Sequence, residues 1–150
     1  MALEKRQDPN RRTAGQPRSG RCLVLVVDDD DTVRRVIVQG LRRLGYSVES
    51  VGSAADASAR ISSGIPYDLI VTDVHLRDGY GPEAVAASIT REAAPCVLVV
   101  SGSSDEAADE ARRHLPSWIR SGVLAKPFSL NELQAAMEGL LDMGDRGPEA

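Results

Sequence analysis

The stretch "LVLVVDDDDTVRR", residues 23–35, runs from five apolar side chains straight into four carboxylates, Asp28 to Asp31. Like charges about 4 Å apart repel by roughly 4 kcal/mol at an effective dielectric near 20. Four adjacent acids therefore need a reason. The apolar run reads as a strand covered on both faces. The segment after it has helical spacing, and acids favour helix N-termini. Capping explains some of the four. The remainder, crowded where a buried strand ends, suits a hard divalent cation.

The rest of the chain repeats this plan. "CLVLVV" (22–27), "DLIVTD" (68–73) and "CVLVVS" (96–101) are continuous apolar strands, "YSVESV" (46–51) alternates as an edge strand, and "GVLA" (122–125) is a short one. Between and after them lie five helical segments. In 31–45, Val33, Val36, Ile37, Leu41 and Leu44 share a face, with Gly45 at the C-terminal cap position. The others are an Ala-rich helix over 53–64 and helices over 81–93, 103–115 and 129–141. Pro82 suits a first helical position. Ser103 with Glu106, and Ser129 with Glu132, have capping-box spacing. Leu133, Met137, Leu140 and Leu141 form the buried face of the last helix. A βα unit repeated five times, joined by right-handed crossovers, predicts an α/β fold: a doubly wound parallel sheet with helices on both faces.

Ligands of such sheets bind at the carboxyl ends of the strands. The first strand ends in Asp28, Asp29 and Asp30, the third in Asp73, the fourth in Ser101 and the fifth in Lys126, followed by Pro127. Taken singly, each is an ordinary cap, turn or surface residue; their convergence on one edge is the signal. Lys126 is the sharpest member. Of 18 basic residues 16 are Arg, and Lys5, the other lysine, lies in the N-terminal stretch. A compact ammonium reaches an anion as a point charge, where a planar guanidinium is bulkier.

These residues resemble the receiver domain of two-component response regulators. "LVVDDD" (25–30), "DLIVTDVHLRDGYG" (68–81), "VLVVSG" (97–102) and "LAKPF" (124–128) match its four motifs in order, within residues 22–141. The resemblance implies a flavodoxin-like (βα)5 sheet of order 2-1-3-4-5. It implies that Asp73 accepts a phosphoryl group from a histidine kinase or histidine phosphotransfer protein. Mg²⁺ would be held by Asp28, Asp29 and Asp73 and by the backbone carbonyl of His75. Ser101 would hydrogen-bond the phosphoryl group and Lys126 would pair with it, with a cis Lys126–Pro127 peptide. Asp30 and Asp31 are left to the start of the first helix. The protein would be a signalling phosphoprotein that catalyses only its own phosphorylation and dephosphorylation, acting on a downstream target. A homodimer through helix 4, strand 5 and helix 5 is one output the resemblance allows.

Three positions depart from the family pattern. Val123 stands where an aromatic residue is usual three places before the lysine, and Arg77 stands where proline is common. "RRHLPSWIRSG" (112–122) lengthens the path to strand 5; its Leu115, Trp118 and Ile119 suit core and interface equally. Two rivals are weaker. A haloacid dehalogenase-type phosphatase would use Asp28 as nucleophile and Asp30 as acid/base, but leaves Asp73 unexplained. A non-phosphorylated interaction module leaves the whole acidic set unexplained.

Composition sets the frame. At 150 residues the chain suits one domain with a core of its own. Residues 1–21 carry six basic and two acidic side chains and little apolar periodicity, and read as a disordered basic tail. Residues 142–150 read as a flexible C-terminal tail. The body is acidic, 12 basic against 20 acidic residues, which argues against nucleic acid as partner. No run is long enough to span a membrane and no secretory leader is visible. Cys22 and Cys96 read as buried thiols, so a cytoplasmic location is expected.

Overall fold

In the computed structural model, residues 22–146 are described. The expected basic tail of 1–21, and residues 147–150 of the expected C-terminal tail, lie outside them. The order of elements is β1 (Leu23–Val27), α1 (Asp31–Arg43), β2 (Ser47–Val51), α2 (Ala54–Ser62), β3 (Leu69–Asp73), a hairpin of β4 (His75–Leu76) and β5 (Gly79–Tyr80), α3 (Gly81–Ser88), a 3₁₀ turn (Arg91–Ala93), β6 (Cys96–Ser101), α4 (Ser104–His114), β7 (Ser121–Ala125) and α5 (Leu130–Arg146). The sheet order is β2-β1-β3-β6-β7 and every pairing in it is parallel. With the two-residue hairpin strands set aside, this is the expected 2-1-3-4-5.

Strand alternation divides the core in two. Val24, Val26, Leu69, Val71, Leu98 and Val100 face α1 and α5, where Leu41, Leu133 and Met137 are fully buried. Leu25, Val27, Ile70, Val97 and Val99 face α2, α3 and α4. Ala54, Ala57, Ala107 and Ala111 bring α2 and α4 against the sheet. Leu115 and Ile119 belong to this second layer, at 8% and 6% exposure, so of the three ambiguous residues they are core. Trp118 is 36% exposed, with the Arg91 guanidinium 5.3 Å from its ring centroid.

Several local expectations are corrected. Val36 is 65% exposed and Val38 takes its place inside. Val36 instead borders an apolar recess shared with Phe128 and Leu130. The helix expected over 81–93 stops at Ser88. Ile89 and Thr90 are both extended, as β-branched pairs favour, and Ser88 Oγ donates to the Ala84 carbonyl at 2.9 Å. The last helix continues past Leu141 to Arg146. Asp30 caps α1, accepting from the Thr32 and Val33 amides at 3.0 and 3.1 Å, and Asp31 pairs with Arg34 at 2.7 Å. The Lys126–Pro127 peptide is cis.

One glycine is required by the packing beneath the sheet edge. A Cβ on Gly81 would lie 2.1 Å from both the Asp73 carbonyl oxygen and Thr72 Oγ1, while the Gly81 amide donates to the Val74 carbonyl at 2.9 Å. Gly81→Ala is therefore expected to destabilise the fold by about 1–3 kcal/mol, the cost of forcing atoms into a filled site. Gly102→Ala, whose Cβ meets nothing within 4 Å, should stay within about 0.5 kcal/mol of the parent. Urea unfolding of the two variants checks both.

Candidate functional site

Register builds the site. Val27 lies opposite Thr72, which sets Asp28 beside Asp73 as the next pair. Asp73 lies opposite Val100, so Ser101 is one step beyond. Ser101 lies opposite Ala125, and the Lys126 amide donates to the Ser101 carbonyl at 2.8 Å. Three strand pairings thus carry Asp28, Asp73, Ser101 and Lys126 to a common edge, as expected.

Asp28 and Asp73 are 3% and 9% exposed, and Ser101 5%. Lys126 Nζ lies 2.9 and 3.1 Å from the two Asp73 carboxylate oxygens and 3.4 Å from Asp28 Oδ2. The second Asp28 oxygen accepts from the Asp30 amide at 2.9 Å. Burial pushes the Asp73 carboxyl up to about 6; the Lys126 hydrogen bond opposes this and the Asp28 charge adds to it. Burial pulls the Lys126 ammonium down, but its bond to Asp73 and the two carboxylate charges outweigh this and leave it above its ordinary value. One ammonium thus serves two buried acids, which leaves negative charge uncompensated.

Asp29 joins them. Carboxylate oxygens of Asp28, Asp29 and Asp73 lie within 4.8 Å of one another. A donor set made wholly of carboxylate oxygens, with excess negative charge, fits a hard cation such as Mg²⁺. Arg77 contributes little: its Nε is 4.0 Å from Asp29 Oδ2 and its side chain is 82% exposed. The ring of His75 is turned to Glu106, 2.5 Å away, so its backbone carbonyl remains the expected ligand atom. Asp30, the acid/base that the phosphatase reading needs, is spent capping α1.

Three contributors escaped the sequence reading. Asp78, in the hairpin turn, accepts from the Ala54 and Ala55 amides at 2.8 and 3.1 Å and so ties the loop after Asp73 to α2. Arg34 donates to the Asp28 carbonyl at 2.8 Å and supports the acidic turn. Glu106 accepts the Ser101 hydroxyl at 2.7 Å. Its capping-box spacing with Ser103 was a signal for a helix start and gave no hint of this contact.

Comparison with known proteins agrees with the geometry. Residues 24–138 match the response regulator receiver domain family. The chain is 30% identical over 121 residues to a probable chemotaxis protein CheY of Rhizobium etli, covering 78% of this chain and 90% of that protein. It is 32% identical over 130 residues to the sensor kinase CckA of Brucella abortus, covering 85% of this chain but 13% of CckA. It likewise spans 24% of the regulator NtrC of Azospirillum brasilense. Among solved structures, a response regulator receiver protein from Sinorhizobium medicae superposes with a TM-score of 0.69 at 26% identity, covering 81% of this chain and 94% of that one. A CheY-like receiver from Methanospirillum hungatei gives 0.73 at 23% identity, covering 85% and 98%, a likeness of fold. With parallel sheet, acidic edge and lysine all in place, the chain belongs to the response regulator receiver domain family of two-component signalling.

Proposed function

We propose that this protein is a free-standing receiver whose Asp73 accepts a phosphoryl group in a Mg²⁺-dependent reaction. The donor is a sensor histidine kinase or a histidine phosphotransfer protein. The observation that carries the reading is the Lys126 ammonium set 2.9 Å from Asp73 and 3.4 Å from Asp28 at the carboxyl edge of the sheet. Support for the free-standing form is the CheY relative, 90% of whose length the chain matches.

An ionised Asp73 oxygen attacks phosphorus, and the bond from phosphorus to the donor nitrogen, or to the oxygen of an acyl phosphate, breaks with its electron pair going to the leaving group. Lys126 pairs with the charge on the phosphoryl oxygens. The Ser101 hydroxyl, next to the strand end, donates to one of them. Bound by Asp28, Asp29, Asp73 and the His75 carbonyl, Mg²⁺ would supply the positive charge that phosphoryl transfer requires. The protein is a phosphoacceptor and acts on no substrate but its own aspartate.

The reading extends to output. Val123 in β7 is 37% exposed and brings no aromatic ring to the Ser101 side of the sheet. Phosphorylation then reaches a downstream target, or a second copy, through α4, β7 and α5. The buried thiols Cys22 and Cys96 suit a reducing cytoplasm, and no described helix is long and apolar enough to cross a membrane. The acidic body gives nucleic acid no evident surface.

Incubation with acetyl phosphate and Mg²⁺ should add one phosphoryl group by intact mass, and Asp73→Asn should abolish the gain. A gain that survives in Asp73→Asn and is lost in Asp28→Asn would favour phosphatase-type chemistry. Asp29→Ala should weaken Mg²⁺ binding by more than the roughly tenfold that loss of a supporting contact costs. Removing one crowded carboxylate relieves repulsion, so its melting temperature without metal should hold or rise. Titration calorimetry and thermal melts test the pair, and a large loss of metal-free stability would make Asp29 structural. Trp118 is the only tryptophan, and beryllofluoride should change its emission. Unchanged emission with an unchanged oligomeric state would move the output away from this face.

A further inference from the structure

The chain contains two capping boxes of the same spelling, and they are closed differently. At the start of α5, Glu132 N donates to Ser129 Oγ at 3.0 Å, and Ser129 N donates back to Glu132 Oε1 at 2.8 Å. At the start of α4 only the first half is made: Glu106 N donates to Ser103 Oγ at 3.2 Å. The Ser103 amide goes instead to Ser101 Oγ, also at 3.2 Å. The Glu106 carboxylate leaves the box altogether. One oxygen accepts the Ser101 hydroxyl at 2.7 Å and the other meets His75 Nε2. Glu106 therefore clamps the last residue of β6 to the residue two places past Asp73.

A serine hydroxyl has one proton to donate. While Ser101 gives it to Glu106, it has none for a phosphoryl oxygen. Both bonds to Glu106 favour its ionised form and hold its carboxyl below the usual range, the Ser101 bond more than His75, so the acceptor is a charged one at neutral pH.

We propose that Glu106 is a positioning residue that withholds the Ser101 hydroxyl from the phosphorylation site until Asp73 is modified, and that its release of Ser101 passes the change into the first turn of α4. The inference rests on Asp73 being the phosphoacceptor. In the unmodified protein the hydroxyl is held by Glu106, and Glu106 is anchored by its own amide to Ser103. On phosphorylation Ser101 changes acceptor. Glu106 keeps His75 but loses its bond to the end of β6, and α4 is freed from the sheet edge at that point. An exposed Val123 has no ring to move, so α4 carries the signal by a contact of its own.

The test compares rates of phosphorylation by acetyl phosphate in Mg²⁺, read by intact mass. Glu106→Ala should accelerate phosphorylation by about threefold to tenfold, the net scale of one ordinary hydrogen bond at an exposed acceptor. Glu106→Gln keeps an acceptor but not the charge and should fall between. Ser101→Ala should be slower than the parent, and adding Glu106→Ala to it should change nothing further. A residue that only capped α4 would show the same small effect in both backgrounds, with a lowered melting temperature, and that result would overturn the proposal. So would parental rates in Glu106→Ala. Failure of the parent protein to be labelled, or labelling that survives Asp73→Asn, would remove the phosphoacceptor reading itself and this inference with it.

Discussion

Two buried carboxylates share one ammonium, and most of what surrounds them follows from that shortage. Asp28 and Asp73 end adjacent strands in the middle of the sheet, where neither can turn away into water. Desolvation penalises both charges and their proximity penalises them again. Lys126 relieves part of this from β7, two strands away from β3, and its stem lets it reach across Ser101 to both acids. The remaining imbalance makes the edge a place where added positive charge is stabilised.

The fold and the central site were legible because both follow from one-dimensional signals. Apolar strands buried on both faces announce a parallel sheet, and the residue after each strand is fixed in space once the order is known. Asp28, Asp73, Ser101 and Lys126 needed nothing more. Asp30 and Asp31 were legible as helix-start residues from position alone. What failed was local and depended on tertiary context. Val36 has the spacing of a core residue but lies where α1 turns from the sheet towards the segment before α5. The end of α3 turned on two β-branched residues that a continuous apolar pattern conceals.

The hairpin after Asp73 is the larger lesson. Its two-residue strands are too short to leave a periodic signal, yet they fix the loop that follows Asp73. Asp78 ties that loop to α2 by accepting the Ala54 and Ala55 amides of the helix start, and His75 stacks obliquely with Tyr80, ring centroids 5.4 Å apart. Gly81 then lets the backbone return beneath Asp73 without collision. The loop is therefore built to fix the main chain that carries Asp73.

Stillness on the β3 side leaves the β6 side to move. There the chain has given up two fixed points: the aromatic ring that position 123 lacks, and the second half of the α4 capping box. The incomplete box leaves the first turn of α4 with less of its own support than α5 has, because Glu106 is committed to Ser101 and His75 instead of to Ser103. A helix start held by an outside contact is stable only while that contact lasts. On the proposed reading, local stability of α4 is tied to the hydrogen-bonding state of one hydroxyl at the site, and a change of acceptor there would be felt as a change in the helix. Coupling of this kind needs no large side chain to swing. It needs a donor with a single proton and two acceptors that compete for it, and Ser101 supplies the donor.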